Sequence, residues 1–193
     1  RVPAMIFHGA VWPLRQKRVQ RLSLDPGEAL PRLPEEGNAI IDGVPEAGLG
    51  AARVVASHYS IMVKGLSQLF AAGPAVVEAI GEASDKESLG GSIIHTRNGV
   101  VDEEVASEAE AFATARRFLS YLPSHVGQHA PRTMNTDPVD RKEQSLISLV
   151  PREAKQVYSM RKLLDAAFDK GSVFEMGRMW GRAAITAFAR LDG

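Results

Sequence analysis

The sequence contains no cysteine. That excludes disulfide staples, a thiolate nucleophile and any zinc site built on sulfur. It also lacks an excess of either charge, because 23 Lys and Arg balance 23 Asp and Glu. A general nucleic-acid binder shows a basic surplus, so nucleic acid is set aside as a partner. No apolar run approaches the roughly 20 residues that cross a bilayer, so no membrane partner is expected. No continuous apolar stretch follows Arg1, so no secretory leader is read, and a cytoplasmic address (the mitochondrial matrix in a eukaryote) fits. His8, His58, His95, His125 and His129 show no ligand spacing such as HExxH, and no bound metal is expected. The adjacent Ser57 and His58 do not make a catalytic pair, because chain neighbours need not face each other, and His58 and His95 are read as structural. What is present is ordinary: 193 residues, 45% hydrophobic and 24% charged. That composition can bury a core for one domain, or for one domain and part of another.

Along the chain, residues 1–45 are uneven, with Pro3, Pro13, Pro26, Pro31 and Pro34 spread through them. Only Leu14 to Leu22 could hold a short helix, and it carries a basic cluster from Arg15 to Arg21. Ala39 to Ile41 reads as a short strand. From Ala47 the pattern sharpens. Gly48-Leu49-Gly50-Ala51 can open a helix, Tyr59 to Val63 is a compact strand, and Gln68 to Ala71 is a second. Pro74 stands where a helix accepts proline, and Val76, Val77 and Ile80 form an apolar stripe before Gly81. Ile93 to Thr96 and Val100-Val101 flank Asn98-Gly99, which predicts a hairpin. Ser107 and Glu110 form a capping box, and Phe112, Ala115, Leu119 and Leu122 share one side of the helix that follows. Residues 127–142 have linker composition. Met160, Leu163, Leu164, Ala167 and Phe168 then mark an amphipathic helix. Ala183 to Leu191 reads as a strand running into a turn, without a return strand. An unpaired edge of that kind invites association, so the isolated chain is expected to be inactive and poorly soluble. The start on Arg rather than Met and the strand without a return suggest a trimmed chain.

The run AGLGAARVVASHYSIMVKGLSQLFAAGPAVVEAIGE, continued by LGGSIIHTRNGVVD and ARRFLSYLPS, resembles the carboxyltransferase subunit of biotin-dependent acyl-CoA carboxylases. KLLDAAFDKGSVFEMG followed by AFARLDG is similar to the opening of that family's second catalytic half. The resemblance covers residues 46–193. It implies an α/β fold of crotonase-like spiral ββα units. Residues 1–45 would be an extension or a partial start, 46–132 the C-terminal part of the acyl-CoA-binding unit, and 133–193 the linker and the beginning of the biotin-side unit. It also implies an acyl-CoA substrate and biotin borne on a separate carrier. Partners would be the biotin carboxylase and biotin carrier subunits, and six copies would assemble as a ring. The chain has no Met-Lys dipeptide of the kind that carriers biotinylate.

The chemistry implied is removal of an α-proton from a thioester, which places negative charge on the thioester oxygen. Backbone amides aimed at that oxygen stabilise it, and a helix start presents such amides unpaired. Gly48, Leu49, Gly50 and Ala51 are therefore the candidate oxyanion amides. Many relatives have two consecutive glycines here, whereas this chain has Leu49 between two. On the residues alone, the same G-x-G is equally a tight strand-to-helix turn. Arg53 could approach a CoA phosphate or make a surface ion pair. Phe70, Gly73 and Pro74 are expected to shape the acyl-CoA wall. Two alternatives stand beside this reading. One is a truncated, non-catalytic paralogue that docks into the carboxylase as an interaction subunit. The other is a crotonase-type hydratase or isomerase, which needs positioned glutamates behind the turn, and none occurs between Gly50 and Glu78.

Overall fold

Tyr59 to Val63 (β4) organises the fold, because every one of its residues is buried. In the computed structural model, which describes residues 5–8, 39–42, 46–82, 85–125, 127–138, 140–153 and 155–193, β4 lies inside a parallel sheet. The sheet runs Met5–His8 (β1), Ala39–Asp42 (β2), β4 and Glu103–Val105 (β6), in that order. A strand covered on both faces reads as a continuous apolar run, which is the pattern of YSIMV. Alternate side chains then enter two different cores. Tyr59, Ile61 and Val63 join Val105, Ala111, Ala115, Phe118 and Phe174 on one face. Met62 joins Ala51, Val54, Leu69 and Val101 on the other. Ser60 faces this second side, and the Asp102 carboxylate accepts from both its amide (2.8 Å) and its hydroxyl (3.0 Å).

A second, smaller parallel pair joins Glu46–Ala47 (β3) to Leu69–Phe70 (β5), with Ala47 opposite Phe70. Each of these strands runs straight into a helix. Leu49–Val55 (α1) follows β3, and Pro74–Ala79 (α2) follows β5 with proline in its first turn. The stripe of α2 faces solvent: Val76 and Ile80 are exposed, and no residue of the helix is buried. Lys86–Gly90 (α3) comes next, N-capped by the Asp85 carboxylate.

The hairpin expected around Asn98-Gly99 is a helix instead, Ser92–Asn98 (α4). Ser92 and Thr96 lie one turn apart, and both are buried. Gly99 takes a left-handed conformation (φ 82°) and ends the helix, while the amides of Val100 and Val101 donate to the His95 carbonyl at 3.0 Å. Asn-Gly serves two structures, because a hairpin turn and a helix C-cap both need positive φ. Tertiary burial of the Ser92/Thr96 face decides between them.

Glu108–Leu119 (α5) starts at the expected cap. Ser107 Oγ accepts from the Glu110 amide, and the Glu110 carboxylate accepts from the Ala106 amide at 2.9 Å. Its fully buried face is Ala111, Ala115 and Phe118, while Phe112, Leu119 and Leu122 pack partly buried at the margin of the core. Phe118 stacks on Tyr59 with ring centroids 4.7 Å apart.

After Leu146–Leu149 (α6), Met160–Ala167 (α7) forms over the predicted amphipathic stretch. It is followed by Phe174–Met176 (β7) and Thr186–Phe188 (β8), which pair antiparallel with Phe174 opposite Phe188. The last strand therefore has a partner, contrary to the expectation from sequence. Its return strand precedes it, and Gly177 and Gly181 turn the chain between them at positive φ. The hairpin packs Phe174 into the core beside Tyr59 and Phe118. Arg117 anchors it by donating to the carbonyls of Gly171 and Val173, each at 2.8 Å. The predicted helix over Leu14–Leu22 and its basic cluster lie outside the described residues.

Candidate active site

The parallel pairing of β3 and β5 places the exits of two strands that each lead to a glycine-led helix next to each other. Beyond Ala47 the chain must turn at once into α1, and Gly48 does so with φ 62° and ψ −118°. A side chain at this position would be strained, which explains glycine there. The Gly48 amide donates to the Phe70 carbonyl at 3.2 Å, and the Gly48 carbonyl accepts from the Ala52 amide at 3.1 Å. Gly48 thus shapes the turn but has no amide left to offer. The amides of Leu49, Gly50 and Ala51 form the first turn of α1, where no earlier carbonyl is in register to accept them. Among the described residues, these three of the four candidate positions have no acceptor.

Leu49 is 67% exposed, so its side chain stands at the open surface of the turn. Ala51 is buried against the Met62 core and fixes the helix from beneath. Arg53 lies in the last turn of α1 and is half-buried. Phe70 is buried, while Gly73 and Pro74 begin α2 on the neighbouring strand exit. Gly48 is thus joined to Phe70 by its amide, and Gly73 and Pro74 follow Phe70 in the chain at the start of α2.

Charged side chains gather elsewhere. A cavity of about 300 Å³ lies between β6, α5, α7 and β7 and includes Glu103, Glu110, Arg117, Arg161, Glu175 and Arg178. Arg161 and Glu175 form a two-point ion pair there. Burial pushes the Glu103 carboxyl up to about 7, against the opposing pull of Arg178 and with help from Glu175. Beneath it the Tyr59 hydroxyl is buried without a partner among the described residues, and burial raises its pKa. Sequence reading missed this cluster because its members come from segments up to 75 residues apart with no shared motif. A second cavity, of about 360 Å³, lies around Asp137, Arg141 and Phe168. Neither cavity is lined by residues 48–51 or 70–74. Among the described residues no group of His, Asp or Glu could hold a metal ion, and no helix is long and apolar enough to cross a membrane.

Small parallel sheets whose strands lead into glycine-started helices, packed around a buried parallel strand, define a crotonase-like α/β fold. Solved structures agree. Transcarboxylase 12S, described as a hexamer and solved with methylmalonyl-coenzyme A, matches 82% of this chain with a TM-score of 0.77 at 26% identity, over 31% of its own length. A single-chain, multi-domain long-chain acyl-CoA carboxylase matches 81% of the chain at a TM-score of 0.66 and 25% identity, over 15% of its length.

The chain belongs to the carboxyl transferase domain family, whose profile matches residues 40–193. Among curated relatives, the methylmalonyl-CoA decarboxylase subunit alpha of Veillonella parvula and the propionyl-CoA carboxylase beta chain of Roseobacter denitrificans are each 34% identical over 151 residues. The human mitochondrial propionyl-CoA carboxylase beta chain is 32% identical over the same length. These alignments take in 77% of this chain but only 28–30% of the relatives.

Proposed function

We propose that this chain supplies the acyl-CoA side of a carboxyltransferase in a biotin-dependent acyl-CoA carboxylase. The observation that carries the reading is the turn at Gly48, where the amides of Leu49, Gly50 and Ala51, unpaired among the described residues, leave a strand end tied to Phe70. Such a donor set suits a thioester oxygen on which charge develops. Each well-placed amide is worth roughly 2.7–4 kcal/mol in the transition state. No Asp or Glu lies between Gly50 and Glu78 to act as a base beside it. In the mechanism that the family resemblance implies, the proton acceptor comes from the other reactant. Carboxybiotin, brought by a separate carrier, supplies the carboxyl group and the base, and no residue of this chain is assigned to hold it. Arg53 attracts a CoA phosphate, and Phe70, Gly73 and Pro74 form the wall against the acyl-CoA. The assembly proposed is a hexamer with biotin carboxylase and carrier partners, in the cytoplasm or the mitochondrial matrix.

The test is Gly50→Val in the full-length enzyme, read as transfer of the carboxyl group from malonyl- or methylmalonyl-CoA to free biotin. A branched side chain beside the free amides obstructs the thioester and distorts the first turn. Turnover should fall by at least about a hundredfold, the size of losing one such donor, with assembly intact. Unchanged turnover removes the turn from the site. Calorimetric titration with acyl-CoA gives the second arm. A flat titration with retained binding to the carboxylase assembly points to a non-catalytic interaction subunit.

A further inference from the structure

β5 has only two residues, yet its Phe70 carbonyl receives the amide of Gly48. One edge of β5 is held by β3. The other edge has no neighbouring strand among the described residues, and the junction of α3 and α4 closes it. Gln68 and Gly91 form an isolated antiparallel bridge there. Gly90 lies so close that a Cβ would come within 2.3 Å of the Leu69 carbonyl oxygen and 2.6 Å of the Phe70 ring. At the end of this contact, His95 Nε2 lies 2.8 Å from the Leu69 carbonyl oxygen.

A carbonyl oxygen can only accept, so Nε2 carries a proton and donates. The ring's Nδ1 is buried without a partner among the described residues. An orphaned buried ring nitrogen is costly, and an apolar side chain of similar shape would avoid the cost. The imidazole at this place is therefore explained by its donor. Its backbone is also held, since the His95 carbonyl accepts the amides of Val100 and Val101 that end α4.

We propose that His95 is a positioning residue for the oxyanion turn. Its Nε2–H fixes Leu69, and through the next residue sets where the Phe70 carbonyl holds Gly48 and hence where the amides of Leu49 to Ala51 point. The proposal rests on the acyl-CoA reading for its catalytic consequence, but the clamp itself can be tested without it.

The experiment uses the full-length protein. In ¹⁵N spectra His95 shows a protonated Nε2, and the tautomer protonated only at Nδ1 overturns the proposal. His95→Leu removes the donor, whereas His95→Gln can offer an amide N–H in its place. The leucine variant exchanges the Gly48 amide faster and loses about tenfold in kcat, with KM for acyl-CoA within about twofold, while glutamine restores most of both. Unchanged Gly48 exchange in the leucine variant overturns the clamp. An equal loss in both variants reduces His95 to packing and also overturns it. If the leucine variant does not fold, the tautomer and the glutamine variant decide. A parent enzyme without acyl-CoA turnover would sink the proposed function, while tautomer and Gly48 exchange still judge the clamp.

Discussion

Replacing Gly90 with alanine tests the packing behind the site most directly. Gly90 is the last residue of α3 and is buried. In a helix, alanine is by itself better than glycine by about 0.5–1 kcal/mol, so propensity alone predicts stabilisation. Geometry predicts the reverse. The added methyl would stand 2.3 Å from the Leu69 carbonyl oxygen and 2.6 Å from two atoms of the Phe70 ring. Ordinary contacts of this kind lie at about 3.5–4.0 Å, so α3 or β5 must move by about an ångström. Neither neighbour can turn aside. The oxygen is backbone and already bound by His95, and the Phe70 side chain is buried. Overpacking of a tight site costs about 1–3 kcal/mol, and the immovable carbonyl places this case at the upper end. The net expectation is a loss of about 2 kcal/mol. With a urea slope of about 2 kcal/mol per molar, the midpoint falls by about 1 M. Equilibrium unfolding of the full-length protein by urea, followed by circular dichroism, reads this shift. An unchanged or higher midpoint would refute the close approach and with it the tight seating of β5.

Other expectations concern charge and core. Because burial raises Glu103 to about 7 from an ordinary 4.5, the folded chain holds this proton more tightly than the unfolded chain. Its contribution is complete below the unfolded value and is lost as pH rises through 7. Glu103→Gln, which stays neutral, should change little at pH 5 and gain about 1–2 kcal/mol at pH 8, after allowance for a partly solvated site. Equal unfolding midpoints relative to the parent at both pH values would rule this out. Phe118→Ala empties a position 2% exposed that stacks on Tyr59, and should cost about 3–5 kcal/mol in the same unfolding assay. A cost below about 1 kcal/mol would show that the stack is not the centre of this core.

Much of the fold was legible because it is local. β4 announced itself as an apolar run, α2 by Pro74, α5 by Ser107 and Glu110, and α7 by its spacing. What failed was decided over distance. The segment around His95 reads as strand by composition, yet burial of Ser92 and Thr96 makes it helical. Ser92 donates to the Glu104 carboxylate on β6, a contact that no local pattern announces. β7 was invisible because three residues give too short a pattern, so β8 looked unpartnered. At the candidate site, the Gly-Leu-Gly turn was visible in sequence. That Gly48 has no free amide was not, because the Phe70 carbonyl that takes it comes from a strand 22 residues on.

Arg190 has a consequence for the order in which the molecule opens and closes. Its guanidinium lies over the Tyr121 ring and donates to the carbonyls of Ser120, Pro131 and Gly193. Near it the Asp169 carboxylate accepts the amides of Asp192 and Gly193, and Arg132 pairs with Asp192. Most of these contacts close loops of about 60 or 70 residues, so their entropy must be met before any of them rewards the chain. They can therefore form only after α5 and the segment beyond it are in place, and they form together. In the folded protein the same dependence runs backwards. Loss of this one cation frees the chain at Ser120, Pro131 and residues 190–193 at once, so this corner should loosen and become cleavable by protease while Phe174 stays in the core and the sheet around β4 stays closed.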